Sequence, residues 1–254
     1  MSPYEWGWDA EALGLVPALS LAYLLSARRF RTSRPRIAAF VAGQLLVLAV
    51  FLTPVQSIAL RYLLTAHLLQ NVVLAEWAPA LCVAGLSAAL AARLAHLPGG
   101  RVLTSPFVAL PIWLAVYFAW HLPWAYDAAL RHPHSVLHLE HVSYFAAGCL
   151  VWWPVLHDAP RRLTSAAKAV YLFAAFVLAS PLGLLLALLP RPVYDVYEHA
   201  PERLWGLSAL TDQEIAGITM ATEQAVVFFM VFTFFFLRFL SEEEPVLQLS
   251  ATRR

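Results

Sequence analysis

AVYLFAAFVLASPLGLLLALL, residues 169–189, runs for 21 residues without one charged side chain. A helix rises about 1.5 Å per residue, so the stretch reaches about 30 Å, the thickness of a bilayer's hydrocarbon core. It reads as a transmembrane helix. Further apolar stretches lie near 12–27, 37–60, 62–92, 102–120, 135–156 and 214–240. The chain is 61% hydrophobic and only 13% charged, where a soluble domain carries about 25% charged residues. A deficit of that size points to lipid as the solvent. Unsatisfied backbone groups in hydrocarbon cost several kcal/mol each, which favours helices, and the alternation of a membrane β-barrel is missing. The expectation is an all-α, polytopic membrane helix bundle: one integral membrane domain over 1–254 with about seven transmembrane helices. Pro79 is expected to kink the long third stretch.

Basic residues set the expected orientation. Arg28, Arg29, Arg31, Arg34 and Arg36 crowd the first connection, Arg93 and Arg101 the third, and Arg161, Arg162 and Lys168 the fifth. Arg238, Arg253 and Arg254 follow the last span. Only Arg61, Arg131, Arg191 and Arg203 fall on the other side, which also carries Asp9, Asp127, Asp195, Glu198 and Asp212. The N-terminus is therefore expected outside and the C-terminus in the cytoplasm. MSPYEWGWDAE, residues 1–11, has no basic region ahead of the first apolar run, so that run reads as a retained span. A net charge of +1 offers no electrostatic case for nucleic acid. The lipid bilayer is the expected surrounding. Cys82 and Cys149 lie in apolar runs and read as buried hydrophobes.

Seven of the nine histidines fall toward the acidic side. HSVLHLEH, residues 134–141, places His134, His138 and His141 on one helical face. His134 reads as the loop-side member. His67 lies five residues past Tyr62, about 8 Å into the third span, with Gln70 and Asn71 on its face. His121 ends the fourth span, and His138 and His141 begin the fifth. Four imidazoles from three helices thus reach similar depth, and polar side chains inside a span mark functional pathways. Imidazole suits copper, zinc, iron and nickel. The expected metal ligands are His67, His121, His138 and His141. With only three methionines, a methionine-lined Cu(I) conduit is not expected. The order His138, Leu139, Glu140, His141 matches neither HExxH nor HxxEH. Glu140 is about 200° around the helix from His138 and reads as facing away, so an intramembrane protease is not expected. Glu76 and Glu223 lie deep in the third and seventh spans. Each must be protonated, or paired across helices or with a cation, and Thr222 and Gln224 stand near enough to bond Glu223.

AHLLQ at 66–70 with AP at 78–79, HLPWAYDAAL at 121–130, LHLEHVSYFAAGCLVWWP at 137–154 and WGLSALTDQEIAGITM at 205–220 follow one another in order. This order resembles the multi-span cytochrome c oxidase assembly factor family called CtaG, of the seven-helix type, over about residues 15–240. The resemblance implies a multi-pass protein of the bacterial plasma (inner) membrane, not an enzyme, that helps supply copper to the oxidase catalytic subunit. Other copper-handling membrane proteins are possible partners. It carries the family's histidines onto His67, His121, His138 and His141, and its acid–glutamine pair onto Asp212 and Gln213. Gln70, Asn71, Asp127, Asp212 and Gln213 are the expected second-shell or entry groups. Many members have a second histidine where this chain has Asn71, and Glu76 and Glu223 stand where apolar residues are expected.

Two other readings stay open. Two histidines on facing helices would ligate haem b, with Ala146, Ala147 and Gly148 below His141 providing a slot. Alternatively, Glu76 and Glu223 would carry protons in a coupled transporter, although inverted repeats are lacking.

Overall fold

The computed structural model describes residues 2–251, with side chains described throughout except at Glu11 and 243–251. Arg253 and Arg254, counted above toward the cytoplasmic side, lie outside the described residues. Among the described residues there are helices and connections but no strands. The main helices are α1 (Ala10–Arg29), α2 (Arg34–Leu52), α3 (Pro54–Arg61), α4 (Leu64–Gly85) and α5 (Ala88–Ala95). After them come α6 (Pro106–Trp120), α7 (Pro123–Arg131), α8 (Val136–Leu156), α9 (Ser165–Leu188) and α10 (Ala209–Ala251).

Among the described residues, four helices are long and apolar enough to cross a membrane: α2, α4, α9 and the Ala209–Glu242 part of α10. The α6–α7 pair, bent by 73°, makes a fifth candidate if counted as one broken span. α1 and α8 are 20 and 21 residues long, or about 30 Å each, but carry more polar side chains.

The second and third apolar stretches are not continuous helices. Thr53 caps α3 by accepting from the Val55 N–H at 3.4 Å, and Pro54 takes the first helical position, where its missing N–H is harmless. The third stretch stops at Gly85, and Ser87 starts α5 by accepting from Leu90 N at 3.3 Å. Instead of a plain kink at Pro79, a π-helical turn over Val73–Trp77 precedes it. Proline has no N–H to offer the Ala75 carbonyl, and the wider turn redirects the chain there.

Without a hydrophobic driving force between helices in lipid, small residues let backbones approach. A Cβ on Gly217 of α10 would lie 2.5 Å from the Gly183 carbonyl of α9. A Cβ on Gly148 of α8 would lie 2.4 Å from the Ala75 carbonyl and 2.6 Å from Pro79 Cγ. The haem slot expected at Ala146–Gly148 is therefore absent: Gly148 is filled by α4, Ala147 is buried and Ala146 is exposed. At the bundle centre Phe228 packs between Trp113 and Trp152, with ring centroids 5.6 and 5.5 Å away.

One end of the bundle collects basic residues. Arg36 donates to the Ala84 and Leu86 carbonyls, Lys168 pairs with Asp158 at 3.5 Å, and Arg238 pairs with Glu242 at 2.9 Å. His157 lies there, just past α8, its Nε2–H donating to the Val83 carbonyl at 2.8 Å. Burial, reinforced by Arg36 and Lys168 and opposed by that hydrogen bond and Asp158, holds its pKa below the usual histidine value. The folded state therefore favours the neutral ring. Its stabilisation is present above about pH 6.5, the unfolded value, and is lost as pH falls through the folded value. The thermal midpoint should fall between about pH 7.5 and about pH 5. In a His157→Gln variant the fall should be shallower.

Candidate functional site

His67 sits in the first turns of α4 with no exposed surface. Its Nδ1 is 2.8 Å from the Tyr197 hydroxyl, which donates its own proton to the Ala59 carbonyl. The hydroxyl can therefore only accept from His67, which puts the ring proton on Nδ1. Nε2 is left with a free lone pair, no hydrogen-bond partner and the Glu140 Oε1 atom 3.7 Å away. His121, capping α6, is set the same way. Its Nδ1 must donate to the Tyr117 carbonyl at 2.7 Å, and its Nε2 has no partner. The His141 Nε2 is likewise buried and unpartnered. The His141 and His67 ring centroids are 6.4 Å apart, and Phe51 meets His141 edge-on at 4.9 Å. The Tyr126 ring lies between the other two, 4.8 Å from His67 and 6.1 Å from His121.

Glu140 does not face away. It is fully buried, accepts from Asn71 Nδ2 at 2.8 Å and stands against His67. The apolar stripe of α8 explains this. Leu137, Tyr144, Ala147, Gly148 and Val151 all face inward, and positions 140 and 141 fall on that stripe while 138 falls beside it. Read against the stripe instead of against His138, the sequence already held this signal. Tyr197 and Tyr126, the other residues missed, lie in loop-flanked segments with no periodic pattern to place them.

His138 is half-buried and, with His141, lines an apolar groove of about 240 Å³ among α1, α2, α4 and α8, where Asp9 and Gln44 are the other polar residues. The structure thus brings His67 and His121 against Tyr126, sets His141 beside His67 and places His138 at the groove. Among the described residues, no three His, Cys, Asp or Glu side chains are drawn together closely enough to hold a metal ion as they stand.

Most of the expected supporting groups bind backbone. Asp212 accepts from the N–H groups of Leu64 (2.6 Å) and Thr65 (3.1 Å) and from the Thr65 hydroxyl (2.7 Å). α10 thereby caps α4, whose own cap position, Leu63, has no side chain to do so. Gln213 accepts from Val193 N and donates to the Leu186 and Arg191 carbonyls, tying down the segment after α9. Asp127 accepts from the N–H groups of Asp195 and Val196 at 3.2 Å, and Gln70 donates to the Val50 carbonyl and to Gln56. Asn71 alone touches the histidine cluster, through Glu140. Asp212→Ala should cost about 1–2 kcal/mol, the usual value of a lost cap, and Asp212→Asn clearly less. Thermal unfolding of the purified protein reads both.

Glu76, on the π turn of α4, accepts from Gln224 Nε2 at 3.1 Å, and the same amide donates to the Tyr117 hydroxyl at 2.9 Å. Glu223 accepts from Trp77 Nε1. Thr222 points outward and Gln224 bonds Glu76, so the bonding foreseen for Glu223 comes from Trp77 instead.

Residues 21–242 match the family described as cytochrome c oxidase caa3 assembly factor (Caa3_CtaG). The chain belongs to this family. Nothing among curated proteins or among solved structures matches it. The Caa3_CtaG match runs from the second half of α1 to Glu242, so all the buried histidines, Glu140 and both intramembrane acids lie within it. Caa3_CtaG membership makes the protein a cytochrome c oxidase assembly factor, and its apolar helices give it membrane character.

Proposed function

We propose that this Caa3_CtaG protein takes up copper at the His67–Glu140–His141 cluster, with His121 beside it, and hands the metal to the oxidase catalytic subunit. Copper is cargo here, and no bond of a substrate is broken. The observation that carries the reading is the forced tautomer of His67: Tyr197 holds the Nδ1 proton, and the Nε2 lone pair waits, buried and unpartnered, 3.7 Å from a carboxylate oxygen. Donors bound to one metal ion at about 2 Å each stand within about 4 Å of one another. Imidazole and carboxylate both donate to a divalent copper ion, and the unpartnered His141 Nε2, on a ring whose centroid is 6.4 Å from that of His67, offers a third donor once the ring moves toward the pair.

Seven crossings fit this use: α1, α2 and α4, the bent α6–α7 pair, α8, α9 and α10. In a bacterial plasma membrane, the basic end lies in the cytoplasm, and the N-terminus and His67, His121, His138 and His141 lie toward the outside. The groove with Asp9, His138 and His141 then opens an entry route from the outer leaflet. Purified protein loaded with Cu(I) or Cu(II) should retain copper through desalting. A sample that keeps none overturns the reading, and a Soret band would replace it with bis-histidine haem b.

A further inference from the structure

Glu76 and Glu223 are not used by the copper reading, and their setting is unusual. Glu76 has no exposed surface and stands on the π turn Val73–Trp77, a kind of irregularity that concentrates at functional sites. The α4–α10 contact sets it beside Glu223: Gln224, next to Glu223, donates to Glu76, and Trp77, next to Glu76, donates to Glu223. Among the described residues, no lysine or arginine pairs with either acid. Gln224 and Trp77 each occupy one oxygen, and the second oxygen of each acid has no N–H or hydroxyl donor. Two carboxylates this close in a low-dielectric interior cannot both be ionised, so at least one proton lies between them.

Beside Glu76 is a cavity of about 10 Å³, lined by Asn71, Tyr117, His121 and Tyr144 with apolar neighbours. That is about the room one water needs. The groups facing Glu76 are Glu223 of α10, Tyr117 and His121 of α6, and Tyr144 of α8. Glu223 itself is partly exposed, toward the outer face of the bundle.

We propose that Glu76 and Glu223 form a proton-exchange site within the bilayer, served by the water-sized cavity beside Glu76. With two protons the pair is neutral. Release of one, from a carboxyl O–H bond to cavity water, leaves the pair with one negative charge and the water with the proton. The reverse step restores it. If copper binds as proposed above, the anionic form balances the arriving cation; only this consequence rests on that reading, and the test below reads the protons alone.

Infrared spectra of the full-length protein in lipid nanodiscs are the measurement. The native chain should show a carboxylic acid C=O band that shifts promptly in D₂O and is absent from the Glu76→Gln, Glu223→Gln double variant. Val72→Ile, which places one more methylene at the cavity, should keep the band and slow its exchange at least tenfold. A native spectrum without an acid band tied to these two residues overturns the proposal. So does a Val72→Ile protein that exchanges as fast as the native one, or a native band that never exchanges.

Discussion

His67→Ala should lower the copper affinity of the purified protein at least about 100-fold, and oxidase assembled beside it should be copper-poor. The lost Nε2 is the buried donor with a fixed tautomer and a carboxylate 3.7 Å away. Tyr197→Phe is the sharper variant. It leaves every donor in place but removes the hydroxyl that holds the Nδ1 proton, and outer-shell partners of this kind are worth about 10–100-fold in affinity. A purely structural part for Tyr197 would change the thermal midpoint and leave affinity alone. His199→Ala, on an exposed connection, should change neither. Equal copper retention in native and His67→Ala protein would remove the cluster from consideration.

Gly148→Ala should be among the most damaging single-methyl changes in the chain. The added Cβ would sit 2.4 Å from the Ala75 carbonyl, a backbone atom on the π turn that also carries Glu76. Flexible side chains can move aside; a carbonyl fixed between a π turn and Pro79 cannot. Overpacking of this kind costs about 3 kcal/mol, a large part of a stability of about 5–15 kcal/mol. The expected result is a much lower thermal midpoint and little monodisperse protein after extraction. Ala146→Val, two residues away on the exposed face, should be near neutral. If both variants melt like the native protein, the α4–α8 contact is not as close as described.

The two acids show why part of the site was legible and part was not. Glu76 and Glu223 stand out in any apolar run, because an ionisable group in hydrocarbon needs an explanation. That they meet each other is a property of how α4 crosses α10, and it depends on a π turn that no residue pattern announces. Glu140 is the opposite case: its burial follows from the period of its own helix, and only measuring the angle from His138 instead of from the apolar stripe hid it. Asp212 and Gln213 were picked out by the family resemblance alone. Their partners, the unpaired N–H groups at the start of α4 and the carbonyls after α9, come from segments remote in sequence.

Composition, run length and the placement of arginines determined that this is a helical membrane protein, because burying uncharged segments about 30 Å long has only one economical solution in lipid. The order of its motifs determined the family. Neither could decide where the helices break, since Thr53–Pro54 and the π turn before Pro79 depend on which backbone groups find partners in neighbouring helices. Nor could they decide which histidine nitrogen is free. That was settled by Tyr197 reaching His67 across 130 residues of chain, a contact that exists only once the bundle has closed.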